Sequence, residues 1–120
     1  VDSNSKGCIA EYKFGIECLK RDIKVSYPLV HTSFYDCVAD TGNKMYRIQI
    51  KSTTQGFQKH RKTVHIQWKH SYEKKDVDYF AIWVEKFEGF FIFKNDGKRL
   101  AVRLSLNNAY SKFFNNFDFN

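Results

Sequence analysis

The sequence predicts an α+β or mixed α/β fold in which an N-terminal helix packs on a sheet. Three observations predict it. Residues 5–22 place apolar side chains at helical spacing, whereas the later segments are short and either alternate in polarity or run continuously apolar. No repeat, low-complexity tract or Pro/Gly/Ser linker interrupts residues 1–120, which predicts a single domain. A helix followed by a series of strands is the element order of this class.

The elements follow in order. "SKGCIAEYKFGIECLKRD" reads as a helix capped by Ser3, Asn4 or Ser5. Ile9, Tyr12, Ile16 and Leu19 would form its apolar face, with Lys6, Lys13, Lys20 and Arg21 outward. Glu11 aligns with Gly15 and Cys18, small residues that would bring this acid close over the sheet. Strands are predicted at about 23–27, 34–40 and 45–52, the last two joined by "TGNK" as an antiparallel hairpin. A symmetric hairpin puts Asp36 opposite Gln49, on one face, with Cβ atoms ~5 Å apart. "KTVHIQWKH" alternates as a half-exposed strand or arm, and "DYFAIWVE" reads as a buried central strand. "GFFIFK" would pair with it through a turn at residues 86–89, and "KRLAVRLS" alternates again. Tyr110, Phe113, Phe114 and Phe117 recur at helical spacing near the end.

Hydrophobic residues make up 42% of the chain and charged residues 28%, the balance of a folded globule and not of a disordered tail. No apolar run reaches bilayer length and no secretory leader is visible, so the expectation is a cytoplasmic protein without a membrane partner. The chain begins at Val1 without a methionine. Cys8, Cys18 and Cys37 form an odd set without a CxxC pair, which suits a reducing compartment. His60, His65 and His70 recur every five residues, which places them on no common face and argues against a zinc site. The net charge is +7 and the excess is uneven: residues 51–75 hold seven basic side chains against Glu73 alone. Such a field points to an anionic partner, most economically nucleic acid; the ordinary alternative is a solvated face.

On β-strand alternation, Tyr46, Ile48 and Ile50 point one way and Arg47, Gln49 and Lys51 the other. Asp36, Gln49, Lys51 and the helix-borne Glu11 then form one polar group. A hard divalent cation takes oxygen ligands, which Glu11, Asp36, the Gln49 amide and the Ile50 carbonyl at a distorted strand end can offer. Lys51 would hold a phosphate and stabilise the charge that develops on it, and a bound cation acidifies water into a nucleophile. These are the parts of phosphodiester hydrolysis. Taken singly, the same residues read as a surface ion pair worth ~0–1 kcal/mol and a helix acid favoured by the dipole.

The combination "AE…YD…YRIQIKST…DVDYFAIW" resembles the PD-(D/E)XK nuclease superfamily, whose core is the restriction-endonuclease-like fold. It is most similar to homing endonucleases of cyanobacterial group I introns. The resemblance implies Asp36 as the metal-binding aspartate, Gln49 in the place of the second acid, Lys51 as the motif lysine and Glu11 as the helix acid. It also implies Mg2+ or another divalent cation, double-stranded DNA as partner, action at the bacterial nucleoid and a homotetramer with two protomers on one DNA site. Two departures stand out: Tyr35 replaces the motif's proline, and Gln49 is an amide where an anion is usual.

Beyond Lys51, lysine and arginine hold phosphates while glutamine and arginine read base edges. The candidates for DNA contact are Ser52, Thr53, Gln55, Gln58, Lys59, Arg61, Lys62, His65, Gln67 and Lys69. One active site cuts one strand, so a small protomer cuts a duplex best as a symmetric pair. The Phe-rich C-terminus offers either an interface or a cover for the core. Three rival functions remain at this stage: a Holliday-junction resolvase, a restriction endonuclease, and a non-catalytic DNA-binding module.

Overall fold

The computed structural model describes residues 1–30, 33–55 and 62–120. Helix α1 spans Ser3–Leu19. Its cap is Asp2, one residue before the predicted candidates, whose carboxylate accepts the Ser5 N–H at 2.8 Å. That bond satisfies a donor the first turn leaves open. The buried face corrects the predicted one. Ala10, Phe14, Gly15 and Cys18 face the sheet, while Ile9, Tyr12, Ile16 and Leu19 are exposed. The small residues let the helix lie close, and a Cβ on Gly15 would stand 2.8 Å from the Tyr27 hydroxyl. Phe14 is the anchor: its ring centroid lies 5.5 Å from that of Phe90 and 5.8 Å from that of Phe117.

Strands β1 (Lys24–Ser26), β2 (Cys37–Asp40), β3 (Met45–Thr53), β5 (Tyr79–Val84) and β6 (Gly89–Lys94) form one sheet in the order β1-β2-β3-β5-β6. β3 and β5 run parallel and every other neighbour pair is antiparallel, so the sheet is mixed. β4 (Val64–Gln67) and β7 (Ala101–Leu104) pair as a separate two-stranded ribbon. Strand alternation sorts the side chains into two cores. Ile48, Ile50, Ala81 and Phe90 meet α1 on one face; Phe80, Ile82, Phe91 and Phe93 meet Val64, Val102 and Leu104 of the ribbon on the other. The resulting layers are helix, sheet and ribbon.

The hairpin has the predicted register from Asp40↔Met45 to Cys37↔Ile48, with Gly42 at φ 92° in its turn. β2 begins at Cys37 and not at 34, because residues 34–36 bend away from the ladder. Arg47 ties the starts of the parallel pair together. Its Nε donates to Asp78 Oδ2 at 3.1 Å and a guanidinium NH2 to Oδ1 at 3.1 Å, while the Asp78 N–H donates to the Arg47 carbonyl at 2.9 Å. The helical spacing at the C-terminus yields only a 3-10 helix, Ala109–Phe113. Phe114 then bridges Phe91, and Asn115 adopts φ 50°, which sends Phe117 and Phe119 into the helix-side core. Long-range aromatic packing overrides local spacing there. Among the described residues no helix is long and apolar enough to cross a membrane.

Candidate active site

The site lies where β2 separates from β3. Asp36 donates its N–H to the Ile48 carbonyl at 2.8 Å, and its Oδ2 accepts the Ile50 N–H at 2.7 Å. The carboxylate therefore takes the place a strand partner would hold, in the plane of the sheet. A strand residue turns its N–H and C=O toward the same edge, so the Ile50 carbonyl also faces this fork. The ladder stops at Cys37, and the expected direct opposition of Asp36 and Gln49 is not one of its pairs.

Glu11 reaches Asp36 from α1, close enough to hydrogen-bond to it. Burial, the Asp36 charge and that hydrogen bond hold Glu11 above the usual carboxylate range. Burial also raises Asp36, an effect opposed by the Ile50 N–H, the Lys51 charge and Glu11. Lys51 approaches from the other face, beside the aromatic rings of Trp68 and Tyr72. Burial lowers its pKa and the Asp36 charge opposes the shift.

The four predicted residues therefore do not share one face. Glu11 comes from the helix layer, Asp36 lies in the sheet plane, and Lys51 comes from the ribbon side. Gln49 lies on the Lys51 side of β3 in register with Phe80, and among the described residues no hydrogen bond joins it to either acid. The donor set fits a hard divalent cation: two close carboxylates, each made costly to ionise, with carbonyl oxygen at the same fork. No cluster of three or more His, Cys, Asp or Glu occurs among the described residues. A cation here would rest on two acids and neutral oxygens.

Lys51 also lines a cavity of about 400 Å³ with Ser52, Gln55, His65 and Gln67. Thr53 lines it too, but is buried with its hydroxyl accepting the Gln55 N–H at 3.1 Å, so it shapes the end of β3. Lys62, His65, Gln67 and Lys69 are exposed. Gln58, Lys59, His60 and Arg61 lie outside the described residues. A larger cavity, about 780 Å³, opens between Arg21, Lys44 and Lys112, and contains neither the acid pair nor Lys51. Chemistry, not size, selects the site.

Three residues in the site's surroundings escaped the sequence reading. Tyr72 and Asn95 sit in loops with no pattern to mark them. Arg103 was readable only as an exposed position of an alternating strand; the ribbon register sets it opposite His65.

Two solved structures share this arrangement of elements. The bacterial homing endonuclease I-Ssp6803I matches with a TM-score of 0.75 and 20% identity, over 95% of this chain and 89% of that one. The Holliday junction resolvase Hjc of the archaeal hyperthermophile Archaeoglobus fulgidus matches with a TM-score of 0.56 and 11% identity, over 91% and 89%. Such likeness establishes the fold. Among curated proteins no sequence matches significantly. The family model for PD-(D/E)XK endonucleases matches residues 1–113, and the chain belongs to that family.

Proposed function

We propose that this chain is a site-specific double-strand DNA endonuclease that hydrolyses phosphodiester bonds with Mg2+ or a similar divalent cation. Its proposed role is the homing of a mobile group I intron. The observation that carries the reading is the meeting of Glu11, Asp36 and Lys51 from three separate elements at one fork. Asp36, Glu11, the Ile50 carbonyl and the Gln49 amide would hold the cation. When bound, the cation supplies Lewis-acid stabilisation and activation of the attacking water. Lys51 donates to a non-bridging phosphate oxygen, where charge grows in the transition state. The rings of Trp68 and Tyr72 flank that ammonium.

Exposed Lys62, His65, Gln67 and Lys69, with Arg103 across the ribbon, supply phosphate and base-edge contacts beside the cavity that Lys51 lines. Cleavage of both strands calls for at least two copies, and a homotetramer with two protomers on the DNA is the assembly we propose. The whole chain acts as one domain in this reading.

The test offers the protein linear duplexes, with and without an uninterrupted intron-insertion sequence, and four-way junctions, each with Mg2+ or EDTA. Mg2+-dependent double-strand cleavage of the insertion-site duplex is expected. Preferential cutting of the junction would favour the resolvase reading, and binding without cutting would leave a DNA-binding module.

A further inference from the structure

Lys51 is gripped, and the grip is built from residues that play no part in the nuclease motif. Its Nζ lies 5.0 Å from the ring centroid of Trp68 and 5.1 Å from that of Tyr72. It donates to the Tyr72 hydroxyl oxygen at 3.3 Å. Lysine has a long flexible stem and three rotatable donors. Two aromatic faces attract its charge, and one hydroxyl acceptor narrows the remaining choice of position.

Both walls are held from behind. The Trp68 indole Nε1 donates to the Arg99 carbonyl at 3.0 Å, and its ring packs on Phe80 at 4.9 Å. Tyr72 packs edge-on to the same Phe80 at 5.6 Å. The buried Asn95 fixes the backbone of Tyr72: its Nδ2 donates to the Tyr72 carbonyl at 2.8 Å and to the Val77 carbonyl at 3.0 Å. A continuous set of contacts thus runs from Asn95 through Tyr72 to the ammonium of Lys51.

We propose that Tyr72, with Trp68 as the second wall, is a positioning residue that holds the Lys51 ammonium beside the Asp36–Glu11 pair for the scissile phosphate. This inference rests on the nuclease reading above and adds to it a fixed geometry for the lysine. A misplacement of a catalytic group by about 1 Å can cost a hundredfold in rate.

The test has two arms, run on the wild type, Tyr72→Phe and Tyr72→Leu. The first arm needs no cleavage: NMR of 13C-lysine-labelled protein, with the Lys51 signals assigned through Lys51→Arg. Ring currents should shift the Lys51 Hε signals upfield of the other lysines in the wild type and in Tyr72→Phe. In Tyr72→Leu they should move back toward the others. The second arm measures single-turnover cleavage against DNA concentration. Tyr72→Phe, which retains the ring, is expected to cut about tenfold more slowly and Tyr72→Leu about a hundredfold more slowly, with half-saturating DNA unchanged. Lys51 signals among those of the exposed lysines, or wild-type cleavage rates in both folded variants, would overturn the proposal. Shifted Lys51 signals in a wild-type protein that leaves all DNA intact would refute the nuclease reading and leave the clamp itself standing.

Discussion

Asp36 Oδ2 accepts the backbone N–H of Ile50 at 2.7 Å. This one bond sets the acid in the plane of the sheet, where Glu11 meets it from the helix side and Lys51 influences it from the ribbon side. The acid therefore has two tasks, since it closes the open edge of β3 and faces the group that would hold a cation.

Crowding of the acid pair gives stability a definite pH dependence. Both carboxylates are raised in the folded protein, so the fold binds more protons than the unfolded chain above the ordinary carboxylate range, about pH 4. Their stabilising contribution is complete below that range and is lost as pH rises through the raised values. Glu11→Gln should remove the Glu11 share of this loss: in metal-free buffer its melting temperature is expected to exceed that of the wild type at pH 7 and to approach it at pH 4. Mg2+ should raise the wild-type melting temperature at pH 7 more than at pH 5. A calorimetric series across these pH values checks both signs.

In the proposed ligand set Gln49 brings an amide where a carboxylate would add a negative charge. Gln49→Glu adds an anion on the face of β3 that carries Lys51, and cation affinity depends on the charge of the ligand set. The Mg2+ concentration for half-maximal cleavage is expected to fall several-fold. A titration of cleavage rate against Mg2+ measures it.

The two faces of α1 make opposite predictions. Phe14 is fully buried between Phe90 and Phe117, so Phe14→Ala should cost about 3–5 kcal/mol in urea unfolding. Ile16 is 52% exposed, and Ile16→Ser should stay within about 0.5 kcal/mol of wild type in the isolated protomer.

The contrast marks what sequence reasoning can reach. Ile9, Tyr12, Ile16 and Leu19 have the helical spacing and the larger side chains, yet the sheet takes Ala10, Gly15 and Cys18, which allow close approach, with Phe14 among them. The close approach at Gly15 and Cys18 was legible from their size, whereas the burial of Phe14 depends on Phe90 and Phe117, far along the chain, and no local pattern carries it. The hairpin was legible because "TGNK" and the alternation about it specify register locally. Asp36, Lys51 and Glu11 were legible as a motif, but their arrival from three directions was not. It follows from a carboxylate-to-backbone bond that forms only once β2 and β3 diverge. Tyr72 comes to Lys51 through Asn95, 23 residues away, a contact invisible to any periodicity.

Arg103 stands opposite His65 on the ribbon. If this face meets phosphates, Arg103→Ala should weaken binding across DNA sequences and lower the slope of log affinity against log salt by about 0.9. Fluorescence anisotropy at several salt concentrations, with Ca2+ in place of Mg2+, provides the slope.

The most direct measurement of the central claim is the cleavage rate of plasmid and target-bearing duplex DNA in Mg2+ by the wild type, Asp36→Ala and Lys51→Ala, each checked for folding and DNA affinity. Wild-type cutting that EDTA stops is expected, with a loss of about a hundredfold or more in each variant and DNA binding retained. Folded variants that cut as fast as the wild type would contradict the claim.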